Sequence, residues 1–292
     1  MNETTSRALL YGIALTVLGG VVALWAATDN EADVMVLLNS AEVQLQAAYM
    51  TPATDLDGEA LTARADLLET ALCHLESVER RRPGMACTAE FRGFAHMLVG
   101  EHLQAAACYE RARRCADCLE EQRDVLVFNQ ARMLVAAGEA HRALRLLAKH
   151  RDALDARYGP RRRLEEADIL IGLGREQQAL QRLQLVTAEA PVAPMASLEA
   201  GLRYLQLGRE AEATRALEAA SQGAPIADYH LARLKLREGD VDTTFELLRR
   251  AYAARPAEVR QRLRDEAEAW SDVSQDARYQ EFTASSPASP GR

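Results

Sequence analysis

Five cysteines fall between positions 73 and 118: Cys73, Cys87, Cys108, Cys115 and Cys118. The last two form a CxxC pair, a spacing that serves thiol–disulfide exchange, haem attachment, zinc binding or a structural disulfide. A redox pair needs its thiol at a helix N-terminus after a strand, where the helix dipole stabilises the thiolate. Here the pair falls at the end of a helical pattern, where the dipole acts the other way. Haem attachment needs a histidine next, and Leu119 stands there. Structural zinc needs two more ligands, and no second CxxC or HxxxH occurs. A disulfide joining Cys115 and Cys118 is the favoured reading; free thiols and a redox or metal module remain the alternatives. Cys87 would also approach Cys115 if their helices run antiparallel. Five cysteines cannot all pair within one chain.

The other candidate residues carry less chemistry. His74, His96, His102, His141, His150 and His230 lack metal-ligand spacing and read as core or surface residues. No GxSxG, P-loop, HExxH or dinucleotide fingerprint is present. Glu165 and Glu166 read as a solvated pair on a helix surface, and Arg80–Arg82 and Arg161–Arg163 as solvated helix ends. The net charge of −8 argues against nucleic acid as a partner. The expectation is therefore a protein that is not an enzyme and needs no cofactor or metal.

The elements that must position these residues are helical. Ala, Leu, Arg, Glu and Gln dominate, and alternating Val-Ile-Thr segments are nearly absent. From Ala8 to Thr28 no residue is charged, and about 20 apolar residues suffice to cross a bilayer as a helix. Arg7 precedes this segment and no further Lys or Arg occurs until Arg64. Residues 1–7 are thus expected in the cytoplasm, 8–28 as a transmembrane signal anchor, and the body outside. A cleaved signal peptide is the alternative, disfavoured because cutting after Ala27 or Ala26 leaves Trp25 or Leu24 at the minus-three position. Abundant Ala and Arg with few Lys suit a bacterium, so the expected location is the bacterial inner membrane, single-pass, with a periplasmic body. Gly12, Thr16 and Gly20, four apart, hint at a homodimer through the span.

A repeat organises the rest. Gly100, Gly138, Gly174, Gly208 and Gly239 are separated by 38, 36, 34 and 31 residues. Seven residues before each stand Gly93, Ala131, Ala167, Gly201 and Ala232. Five after come Ala105, Ala143, Ala179, Ala213 and Thr244, and nine after come Tyr109, Leu147, Leu183, Leu217 and Leu248. Twelve after come Ala112, His150, Val186, Ala220 and Ala251. In the last three units Pro191, Pro225 and Pro256 stand seventeen after. Two short helices packed antiparallel across a tight turn explain this. Glycine supplies the positive φ that ends the first helix, small residues let the backbones approach, and proline starts the next unit. One hairpin cannot bury its apolar face alone, so hairpins must stack.

This framework resembles the tetratricopeptide repeat (TPR) family over residues 86–258, with hairpins starting near Ala86, Asp124, Pro160, Pro194 and Pro225. The chain departs from the family at Ala89, Val127, Arg163, Ser197 and Asp228, where a large residue is usual. The resemblance implies an all-α solenoid of about five to six hairpins, preceded here by the transmembrane helix. Residues 29–85 read as a divergent first hairpin and 259–282 as capping helices. Trp270, Asp276, Arg278, Tyr279 and Phe282 resemble the end-of-group segment that closes such arrays, and 283–292 reads as a disordered tail. The resemblance also implies a protein–protein interaction scaffold that binds an envelope protein or client peptide. Its groove positions transfer to Phe94, Met97, Phe128, Arg132, Asp168, Leu202, Tyr229, Arg233 and Arg237. The two Phe would take apolar anchors, and the Arg residues would take carboxylates.

Overall fold

A computed structural model describes residues 29–51, 58–189 and 193–283 of the chain. Every regular element among them is helical. The chain divides into two compact units at Arg157 and Tyr158.

The described part of the first unit runs from 29 to 157. It holds α1 (Asp29–Met50), α2 (Gly58–Arg81), α3 (Ala86–Val99), α4 (His102–Arg114), α5 (Glu120–Ala136) and α6 (Ala140–Lys149). Helix α7 (Arg151–Gly172) begins in it and leaves helical geometry at Tyr158 (φ −133°, ψ 30°), with Pro160 just beyond. Helices α1 and α2 pair along Val34, Leu38, Ala41, Leu45 and Ala48 on one side and Leu68, Ala71, Leu75 and Val78 on the other. Phe91 and Phe94 of α3 close this core. Arg64 of α2 donates to the carbonyl oxygens of Ala48 (3.1 Å) and Leu98 (2.9 Å), tying down the C-terminal turns of α1 and α3.

The second unit, from Tyr158, holds the rest of α7, then α8 (Glu176–Thr187), α9 (Pro194–Gln206), α10 (Glu210–Ser221), α11 (Ile226–Arg237) and α12 (Val241–Ala254). It ends in α13 (Pro256–Asp265), a 3-10 segment (Ala267–Val273) and α14 (Ala277–Thr283). Trp270, Val273, Tyr279 and Phe282 from this terminal segment pack into one core with Phe245, Leu248, Val259 and Leu263. Trp270 is fully buried, and its indole N–H donates to the Tyr229 hydroxyl (3.2 Å).

The five repeat glycines form one recurring turn. All have positive φ, between 68° and 87°. At each, the glycine N–H reaches the carbonyl three residues back and the next N–H reaches five back, as in Gly208→Leu205 (3.0 Å) and Arg209→Tyr204 (2.8 Å). The same pair of bonds recurs at Gly100, Gly138, Gly174 and Gly239. This is the Schellman closure, which satisfies carbonyls orphaned at the helix end. The small-to-large packing is equally direct. A Cβ on Gly93 would lie 2.8 Å from the Tyr109 ring, and one on Gly201 would lie 2.8 Å from Leu217 Cγ. Glycine is required there by close approach rather than by φ.

One part of the expected fold is corrected. No helix among the described residues is long and apolar enough to cross a membrane. Segment 8–28, to which the span was assigned, lies outside the described residues, as do Pro191 and most of the expected tail. The single-pass inner-membrane location with a periplasmic body falls with the span on which it rested. The helical body stands without it.

Two charged clusters are also corrected. Arg162 and Glu166 are not solvated: both are buried and paired at 2.5 Å. Glu166 also accepts from Arg182 Nε at 2.7 Å. Burial of two opposite charges is tolerated because each supplies the other's hydrogen bonds.

Candidate functional site

Helices α9 and α11 bound a cleft of about 400 Å³. Leu202, Leu205 and Gln206 line it from α9, and His230, Arg233, Leu234 and Arg237 from α11. Spacings of three and four place each set on one helix face. The walls combine three leucines with two guanidinium groups. Arg233 pairs with Glu266 (2.7 Å), and Arg237 pairs with Glu210 (2.9 Å). The Glu266 carboxylate also accepts from the Tyr229 hydroxyl (3.1 Å), which fixes the acid between α11 and the C-terminal cap.

His230 stands in the wall of this cleft. It is 5% exposed, and its Nε2 is buried with no hydrogen-bond partner among the described residues. Burial, with the positive charges of Arg262 and Arg233 beside it, pushes the imidazole down to about 3. The ring is therefore neutral at physiological pH, and the polarity of the cleft comes from the two guanidinium groups.

The nine expected groove residues separate into three groups. Leu202, Arg233 and Arg237 come together in the cleft. Phe94, Phe128 and Tyr229 are core residues, each no more than 4% exposed; Phe94 packs on Tyr49 with ring centroids 5.7 Å apart. They are packed inside the units rather than presented to a partner. Met97 packs half-buried against the first unit's core, Arg132 is half-buried on α5, and Asp168 is exposed and held by Arg203 through two bonds of 2.6 Å. Sequence reasoning missed His230, Leu205, Gln206 and Leu234. The signal was present in their spacing of three or four from Leu202 and Arg233.

The structure holds the five cysteines as free thiols, so the expected Cys115–Cys118 bond is not formed in it. Burial pushes the Cys87 thiol up to about 11, with Asp117 reinforcing the shift, and burial also raises Cys115 and Cys118. These are the opposite of activated thiolates. Asp117, between the two cysteines, instead accepts from the Ala86 backbone N–H at 3.0 and 3.2 Å. The CxxC loop thereby caps the first turn of α3 from 31 residues away. Among the described residues no group of His, Cys, Asp or Glu is placed to hold a metal ion.

No family model and no curated protein matches the sequence. Solved structures similar to it include these two. One is YrrB, described as a TPR protein with an unusual peptide-binding site, at 20% identity and TM-score 0.38, covering 56% of this chain and 82% of that one. The other is the apo form of RapI, at 13% identity and TM-score 0.49, covering 96% of this chain and 91% of that one. The five matched turns and the packing around them make each unit an array of TPR-like helical hairpins.

Proposed function

We propose that this chain is a non-enzymatic scaffold that binds an extended segment of another protein in the cleft between α9 and α11. The observation that carries this reading is the composition of the cleft: an apolar wall of three leucines with two arginines beside it. A peptide with an apolar side chain next to a carboxylate fits that wall. Its side chain would cover Leu202, Leu205 and Leu234, and its carboxylate would take over Arg233 or Arg237 from their present glutamates. The terminal segment around Trp270, which resembles the closing segment of TPR arrays, belongs to this reading because it supplies Glu266, the present partner of Arg233.

The test is fluorescence anisotropy with a panel of labelled peptides varied in apolar and acidic residues. Apolar–acidic members should bind, and Leu202→Asp or Arg233→Glu should weaken them by about tenfold or more. His230→Leu should raise the thermal midpoint, because it removes a buried polar atom left without a partner. Wild-type binding by both Leu202→Asp and Arg233→Glu would sink the assignment.

A further inference from the structure

Glu266 is the C-cap residue of α13, at the end of a helix where the dipole favours a cation over a carboxylate. What holds the acid there comes from side chains. Arg233 of α11 donates to one of its oxygens at 2.7 Å, and the Tyr229 hydroxyl donates to the same oxygen at 3.1 Å. Arg262 stands 4.0 Å from the other oxygen. The Tyr229 hydroxyl already accepts from the Trp270 indole, so its proton is directed to Glu266. Arg233 also lines the cleft, and its guanidinium therefore faces both an acid on the chain and any acid that enters. Arg237 is held differently. It and Glu210 are each more than half exposed, and water screens that pair.

Building on the role of the cleft as a peptide site, we propose that Glu266 is a built-in competitor that sets its affinity for carboxylates. A ligand acid that reaches Arg233 must displace Glu266 or share the guanidinium with it. Two carboxylates at one cation repel each other, so the ligand acid binds more weakly than it would at an unoccupied arginine. A ligand that offers only apolar surface to Leu202, Leu205 and Leu234 meets no such competition. Glu266 thus acts on acidic ligands selectively, through Arg233, and from a segment that closes the array.

The experiment is fluorescence anisotropy on the full chain with two labelled probes, and circular dichroism on every variant. One probe is a short peptide with a leucine beside an aspartate; its twin has asparagine in place of the aspartate. Glu266→Gln keeps an oxygen that accepts from Tyr229 and should bind the aspartate peptide about tenfold tighter than the wild type. The asparagine twin should bind both proteins alike. Glu218→Gln, the same charge change at an exposed position on α10 outside the cleft, should shift neither probe. In an Arg233→Gln background, adding Glu266→Gln should give no gain. Equal binding of the aspartate peptide by the wild type and Glu266→Gln overturns this inference and leaves the cleft assignment standing. So does a lowered thermal midpoint without a gain, which marks Glu266 as a structural link alone. A gain shared by both twins, or one that persists without Arg233, overturns it too, because Glu266 would then act through the shape of the cap. If neither probe binds any of these proteins, the cleft assignment falls and this inference falls with it.

Discussion

Among single residues, Glu90 of α3 is one whose burial gives the fold a dependence on pH. It is 8% exposed, and burial alone pushes its carboxyl up to about 7 from an ordinary value of 4.5. The native state therefore keeps a proton that the unfolded chain releases above pH 4.5. The associated stability is complete below 4.5 and is lost as pH rises through about 7, to an amount on the order of 3 kcal/mol. Urea unfolding at pH 5 and pH 8 should show this loss in the wild type, and Glu90→Gln should remove most of it. An identical pH slope in the variant would show that Glu90 is not the group concerned. Nothing in the sequence marks Glu90 as buried, because burial here depends on what α4 and the CxxC loop bring against α3. The same limit explains the misreading of Glu166 and Arg162: a charged pair at i, i+4 looks alike whether it faces water or a neighbouring hairpin.

At the level of elements, two kinds of glycine do different work, and substitution should separate them. Gly208 has open space around its Cβ position but φ of 68°, so Gly208→Ala should cost about 1–2 kcal/mol through backbone strain. Gly201 is helical, but its Cβ would lie 2.8 Å from Leu217, so Gly201→Ala overpacks the crossing at about 1–3 kcal/mol. Leu217→Ala should relieve the second and leave the first unchanged; a double-mutant cycle in denaturant measures both. These positions were legible because a turn and a helix crossing each demand one residue type at a fixed offset from the other. The cleft was legible only in part. Alignment by offset finds the face of the first helix in each hairpin, yet cannot say whether an aromatic on that face points inward to the core, as Phe94, Phe128 and Tyr229 do.

For the molecule as a whole, the division at Tyr158 gives each unit its own core and its own response to damage. In stacked hairpins stability is a sum of local and nearest-neighbour terms. Gly201→Ala should therefore speed amide hydrogen exchange in α8–α12 and leave α1–α4 at wild-type rates; equal acceleration throughout would show a single cooperative block. The hairpin organisation was readable from spacing over the whole repeat region. The expected membrane span was not borne out, since hydropathy alone placed it and no described helix carries it. The C-terminal cap offers one practical consequence. The chain has two tryptophans, and Trp270 sits fully buried against the Tyr229 hydroxyl, in van der Waals company with Tyr279. Its emission is a built-in optical gauge: a red shift on mild heating would time the fraying of the last hairpin against the circular dichroism of the remaining helices, with no label attached.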